Sequence, residues 1–260
     1  WTDLDFRIRR RMAIIESTVD YGEAVPYHYI DFGASAMPGV LGARMEQVNE
    51  ETIWAHPVYG SIDEVLEAPF WDTWRDGVYF RMISELTRRS TALATDHHFV
   101  THFALGGAVD NLAALYGTEN LLIDLIEQPE KGMRALLGLK QLWVEAFTAM
   151  NAIIADAGNR GGIGWAGVWA PGTTFPIQED ISYMLSPTMF REFCLPHIRD
   201  CVDAMDFPLY HLDGVGAIPH LDALLEIEAL KVIQWVPGAG REDLHEWYEL
   251  IAKILSAGKS

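Results

Sequence analysis

Residues 209–214 read Leu209-Tyr210-His211-Leu212-Asp213-Gly214, a short apolar run that ends in an imidazole, a carboxylate and a glycine. Such a run reads as a β-strand stopped by its glycine. Side chains two apart on a strand share a face, so His211 and Asp213 can enter one pocket. Residues 218–225 then read as a helix, and residues 231–236 (KVIQWV) as the next strand, ending in Pro237-Gly238-Ala239-Gly240.

The same alternation extends toward the N-terminus. Residues 25–32 (VPYHYIDF), 99–105 (FVTHFAL) and 163–169 (IGWAGVW) read as strands, and a loop-rich stretch through Met37-Pro38-Gly39 follows the first. Two acidic amphipathic segments lie between Ser61 and Thr95. Residues 110–116, 121–126 and 131–157 read as helices, with Pro129 opening the last and Gly158 closing it. Ser186-Pro187 opens a helix to about Met205, and a final helix runs to about Ser256. Strand–helix alternation predicts a parallel sheet with helical crossovers, in one domain over residues 1–260. A (β/α)₈ barrel of about 250 residues suits this length. Five strands are too few to close it, so a doubly wound open sheet is the competitor. That fold's Gly-rich phosphate turn is missing, and Gly214-Val215-Gly216 supplies only a G-x-G.

Nineteen basic and 37 acidic residues give a net charge of −18, which argues against nucleic acid and anionic membranes as partners. The basic cluster at residues 7–11 reads as a solvated helix face. No apolar run approaches the ~20 residues that span a bilayer, and the first five residues have no signal-peptide character. The chain begins without Met, so processing or trimming is expected. Two cysteines, Cys194 and Cys201, imply no disulfide framework and suit a reducing cytoplasm. Seven residues apart on one helix, about 10 Å along its axis, they cannot share a tetrahedral metal and read as buried small side chains.

In a parallel α/β fold, chemistry sits at the carboxyl ends of strands. His28 and Asp31, His102, Trp165 and Trp169, His211 and Asp213, and Gln234 and Trp235 occupy those ends here. His211 and Asp213 are the sharpest pair: a metal-binding imidazole and carboxylate, a general base with its orienting acid, or a hydrogen-bonded pair that merely closes the strand. Asp31 reads as a second pocket carboxylate or as the cap of the turn at Phe32-Gly33. Asp110 and Asp180 stand where loops enter helices, so each reads as an N-cap. His97-His98 read as surface or packing residues, and His220 as a neighbour of the pocket or a helix-surface residue. Trp165, Trp169 and Trp235 suit either plain packing or an aromatic wall for a sugar face or an organic cation.

At Tyr210-His211-Leu212-Asp213-Gly214 the chain resembles the uroporphyrinogen decarboxylase superfamily. Residues 178–187 (QEDISYMLSP), residues 190–197 (FREFCLPH) and Gly106-Gly107 with Asp110 and Leu112 support the likeness, which spans roughly residues 25–258. It is closest to a poorly characterised branch carrying methyltransferase or corrinoid-related names. The resemblance implies a (β/α)₈ barrel whose first strand and last segments would lie outside residues 1–260. The superfamily's methyltransferases bind zinc through a His-x-Cys strand motif and a later Cys. Here His211 matches the His, Asp213 stands at the Cys, and no cysteine follows Cys201. Carboxylate is a harder ligand that zinc still accepts. The arginine segment by which the decarboxylases hold a polycarboxylate has no counterpart.

The expected protein is therefore a cytoplasmic barrel enzyme, a methyltransferase passing a methyl group from a small methylated substrate to a thiol or to a corrinoid on a partner protein. His211 would be metal ligand or general base, and Asp213 second ligand or orienting carboxylate. Asp31, with the catalytic pair, and Gln234 and His28 would hold the substrate between Trp165, Trp169 and Trp235. The alternatives are a metal-independent decarboxylase of a porphyrinogen or smaller acid, a carbohydrate-active barrel with Asp31 and Asp213 as paired acid and base, and a non-catalytic binding barrel.

Overall fold

The structure, a computed structural model, describes residues 2–260 apart from 35, 49–52, 95–96, 156–157, 159–160 and 242. It is a mixed α/β fold. Helices α1 (Leu4–Ser17), α2 (Val78–Ala94), α3 (Ala108–Tyr116), α4 (Thr118–Glu127), α5 (Pro129–Ala155), α6 (Leu195–Asp203) and α7 (Tyr248–Ser256) are its longer elements. Strands β1 (Tyr27–Tyr29), β2 (Arg44–Gln47), β3 (Ile53–His56), β4 (Phe99–Thr101), β5 (Gly162–Ile163), β6 (Trp169–Ala170), β7 (Pro176–Ile177), β8 (Leu209–Asp213) and β9 (Val232–Val236) are short.

The expected parallel pairing is present in two places. β1 pairs with β4, and β7, β8 and β9 form a three-stranded sheet in that order, with His211 opposite Gln234 and Asp213 opposite Val236. Outside β9, the Ser260 N–H donates to Lys231 O and the Ser260 carbonyl accepts the Ile233 N–H, both at 3.0 Å, which is the bonding pattern of a parallel neighbour. Two antiparallel hairpins, β2–β3 and β5–β6, complete the pairing. Among the described residues the strands form four small sheets and no closed cylinder.

Several expected boundaries change. The strand read at 163–169 is two arms, because Gly164 and Gly167 turn the chain back between them: the Gly167 N–H bonds Gly164 O at 3.0 Å and Gly167 holds φ +74°. The helix read from Ser186 to about Met205 has a widened π turn over Phe190–Cys194. Pro196 in the next turn has no N–H for the Glu192 carbonyl, which favours such a local adjustment. The basic cluster divides: Arg9 and Arg10 are exposed, whereas the Arg7 and Arg11 guanidiniums reach the backbone carbonyls of Asp31 and Tyr27 and dock α1 on β1.

The buried apolar side chains form one contiguous core from Ile8 to Ile254. α5 is its spine, burying Leu139, Trp143, Phe147 and Met150 as it packs on α2, α3, α4 and α6. Cys194 and Cys201 are free thiols and buried, as expected of small side chains. No helix of the described residues is long and apolar enough to cross a membrane.

Candidate metal centre at the ends of the parallel strands

β8 forms as a strand and presents His211 and Asp213 on one face, both partly buried. Carrying the β7–β8 register past Ile177 brings Gln178 beside His211 and Asp180 beside Asp213. One ligand atom from each of Asp180, His211 and Asp213 lies within 4.8 Å of the others. The group sits at the carboxyl ends of β7 and β8, where an α/β sheet places its chemistry. His211 Nδ1 faces the Gln234 side-chain carbonyl oxygen across the ladder. An Nδ1–H donated there leaves Nε2 as the free lone pair. The Trp165 and His211 rings meet in a T-shaped contact, centroids 5.0 Å apart.

Asp180 opens a 3₁₀ turn, Asp180–Met184, immediately beyond the sheet. Its Oδ2 accepts the Gln178 amide at 2.8 Å, while its Oδ1 is buried without a hydrogen-bond partner among the described residues. Burial, then the neighbouring Asp110 and Asp213 carboxylates, push its pKa up to about 7. Behind it, Asp110 accepts the N–H groups of Asp180 at 2.9 Å, Ile181 at 2.8 Å and Gly107 at 3.2 Å. Glu179 accepts those of Ala108 and Val109, both at 3.0 Å, at the start of α3. Burial raises the pKa of both carboxyls, Glu179 well above the ordinary range, and lowers His197, 3.7 Å from Glu179, to about 3.

The other expected site residues divide. Gln234 and Trp165 stand with His211. Trp235 does not, because it neighbours Gln234 on β9 and so points to the other face, in register with Leu212, where it packs edge-on against Trp247 at 5.1 Å. Trp169 packs on Phe99, the first residue of β4, and is 43% exposed. The Asp31 carboxylate is exposed and accepts the Gly33 N–H at 2.8 Å, a turn-capping bond. His28 is buried among Arg11, His98 and Arg7, and burial lowers its pKa to about 3. His220 is buried as well, stacked on Phe190 with Nε2 2.8 Å from Ser182 O. Asp180 is the member of the centre that sequence reasoning misses. It lies in a Gln-Glu-Asp run at a loop–helix junction, where a capping residue and a ligand look alike.

No family model and no curated protein sequence matches the chain. Among solved structures, it is similar to a methyltransferase from Methanosarcina mazei, with a TM-score of 0.64 and 12% sequence identity over 89% of this chain and 62% of that one. At that identity the likeness is one of fold. The chain spans less than two thirds of that protein's length.

Proposed function

We propose that the chain folds as a (β/α)₈ barrel of the uroporphyrinogen decarboxylase superfamily and works as a metal-dependent methyltransferase. In this reading a methyl group passes from a small methylated substrate to a thiol or to a corrinoid carried by a partner protein. Parallel pairing in β1–β4 and β7–β8–β9, the strand-like bonding of Ser260 outside β9, and the fold likeness support the barrel.

The convergence of Asp180, His211 and Asp213 carries the functional reading. Their donor set, one imidazole and two carboxylates, is acceptable to zinc and to harder divalent ions. The surroundings fit a cation as well. Asp180 has an oxygen without a partner among the described residues, and its carboxyl pKa is raised by burial and then by neighbouring acids, whose repulsion a divalent ion would relieve. Gln234 would orient His211 from behind, as partners of metal-binding histidines commonly do. A bound ion would supply Lewis-acid activation of the acceptor or of the leaving heteroatom. Trp165 closes one side of the imidazole and limits water there. Two acidic side chains, Asp180 and Asp213, face the centre, so a neutral or cationic substrate is favoured over a polycarboxylate.

Dialysis against Zn²⁺ followed by elemental analysis tests the metal. The wild type should retain about one equivalent per chain, and a His211→Ala, Asp213→Ala variant should retain none. Methyl transfer from methylated thiols and amines to a free thiol or corrinoid, lost in the same variant, tests the reaction. A wild type that retains no divalent ion overturns the proposal.

A further inference from the structure

We infer that Asp110 is a positioning residue for this centre: its carboxylate holds the peptide that aims Asp180 at His211 and Asp213. The inference rests on reading those three residues as a metal site.

Asp180 is the ligand with the least support from regular structure. His211 and Asp213 are fixed by their pairing with β9, whereas Asp180 begins a short 3₁₀ turn beyond the last paired residue of β7. Its direction therefore depends on whatever binds its backbone. Two consecutive N–H groups, those of Asp180 and Ile181, end on the two oxygens of Asp110. A carboxylate that takes two successive N–H groups fixes both peptide units flanking Asp180, and with them the direction in which its side chain leaves the backbone.

This is more than helix capping requires. Asp110 stands in the first turn of α3, and its capping bond is the one to Gly107. Its other two bonds reach 70 and 71 residues along the chain. Glu179 returns the arrangement, taking the Ala108 and Val109 N–H groups from the Asp180 side. Gly107 permits this proximity, because a Cβ there would overlap the Gln178 carbonyl and the Glu179 carboxylate. Two carboxylates, Glu179 buried and Asp110 partly so, thus bind each other's main chain, and one of those segments carries a ligand.

Asp110→Asn keeps the size but turns one acceptor into an N–H donor facing another N–H. Co²⁺ titration read by visible absorption, with a thermal melt of each protein, tests the role. For Asp110→Asn we expect Kd to weaken by about 10- to 100-fold and the absorption band of the saturated protein to change in position or intensity. A core truncation on α5, Leu139→Ala, should lower the melting temperature and leave both Co²⁺ readouts at wild-type values. If Asp110→Asn melts lower but keeps the wild-type Kd and band, Asp110 is only a cap and the inference is overturned. Should Asp110→Asn not fold, Asp110→Glu is read the same way, since it keeps the charge and moves both acceptors by a methylene: weaker binding supports the role, and an unchanged Kd and band overturns it. A wild type that binds no Co²⁺ overturns the metal reading and this inference with it, whereas a binding wild type matched by the variant overturns the inference alone.

Discussion

Gln234 and His211 meet across adjacent parallel strands, the amide oxygen of one against Nδ1 of the other. Because the two residues are in register, the contact is set by the ladder and does not depend on a loop. It selects the Nδ1–H tautomer and leaves the Nε2 lone pair free for the proposed metal ion. Gln234→Leu removes the acceptor while keeping the volume. Calorimetric titration with Zn²⁺ should show affinity about 10- to 100-fold weaker than wild type, with stoichiometry retained. Unchanged affinity would mean that Gln234 does not orient the ligand.

Asp31 offers the opposite expectation. Its carboxylate is exposed and bonds the Gly33 N–H, closing the turn after β1. Asp31→Ala should lower stability by about 1 kcal/mol, the loss of one partly exposed hydrogen bond, and leave metal retention untouched. Elemental analysis of the dialysed variant checks this, and loss of bound metal would return Asp31 to the centre.

How far these residues were legible in the sequence depends on range. β8 and β9 could be read because each is a five-residue run closed by glycine or proline, and strand alternation placed His211 and Asp213 together. The same alternation separates Gln234 from Trp235, a consequence available from their adjacency alone. β7 could not be read: it has two residues, begins with proline, and exists because β8 offers it an edge. Residues 163–169 look like one apolar run, and only the folded chain shows Gly164 and Gly167 reversing it. Asp180 stayed hidden for a similar reason. What brings it beside His211 and Asp213 is a carboxylate on α3, and no local pattern records that bond.

Gly107 is the tightest point of the α3 approach. An added methyl group meets the Gln178 carbonyl, which is main chain and cannot rotate away, and the buried Glu179 carboxylate. Gly107→Ala should therefore destabilise the fold by about 1–3 kcal/mol, the usual cost of overpacking. It should also weaken metal binding, because residues 178–181 must shift. Urea denaturation and Zn²⁺ titration of one preparation measure both effects. A stable variant with wild-type affinity would show that α3 has room to withdraw without moving Asp180.

Acid stability is expected to turn partly on His102, which is not part of the proposed metal centre. The ring is buried, stacked on Phe147 with centroids 4.9 Å apart, and its Nε2 lies 3.1 Å from the Asn151 side-chain oxygen. Burial lowers its pKa from 6.5 to about 4, against which the Asn151 bond acts in part. Above pH 6.5 the folded and unfolded chains both hold the ring neutral, and its packing contributes in full. Between 6.5 and about 4 the unfolded chain takes up a proton that the folded chain refuses, so stability falls as the pH falls. At pH 4.5 this one group should have cost about 2–3 kcal/mol relative to pH 7. His102→Leu removes the titration along with the Asn151 bond, so it should be the less stable protein at pH 7. Its deficit against wild type should shrink by that amount at pH 4.5. Urea denaturation of both proteins at the two pH values measures the difference, and a deficit that does not change with pH would show that His102 protonates freely inside the fold.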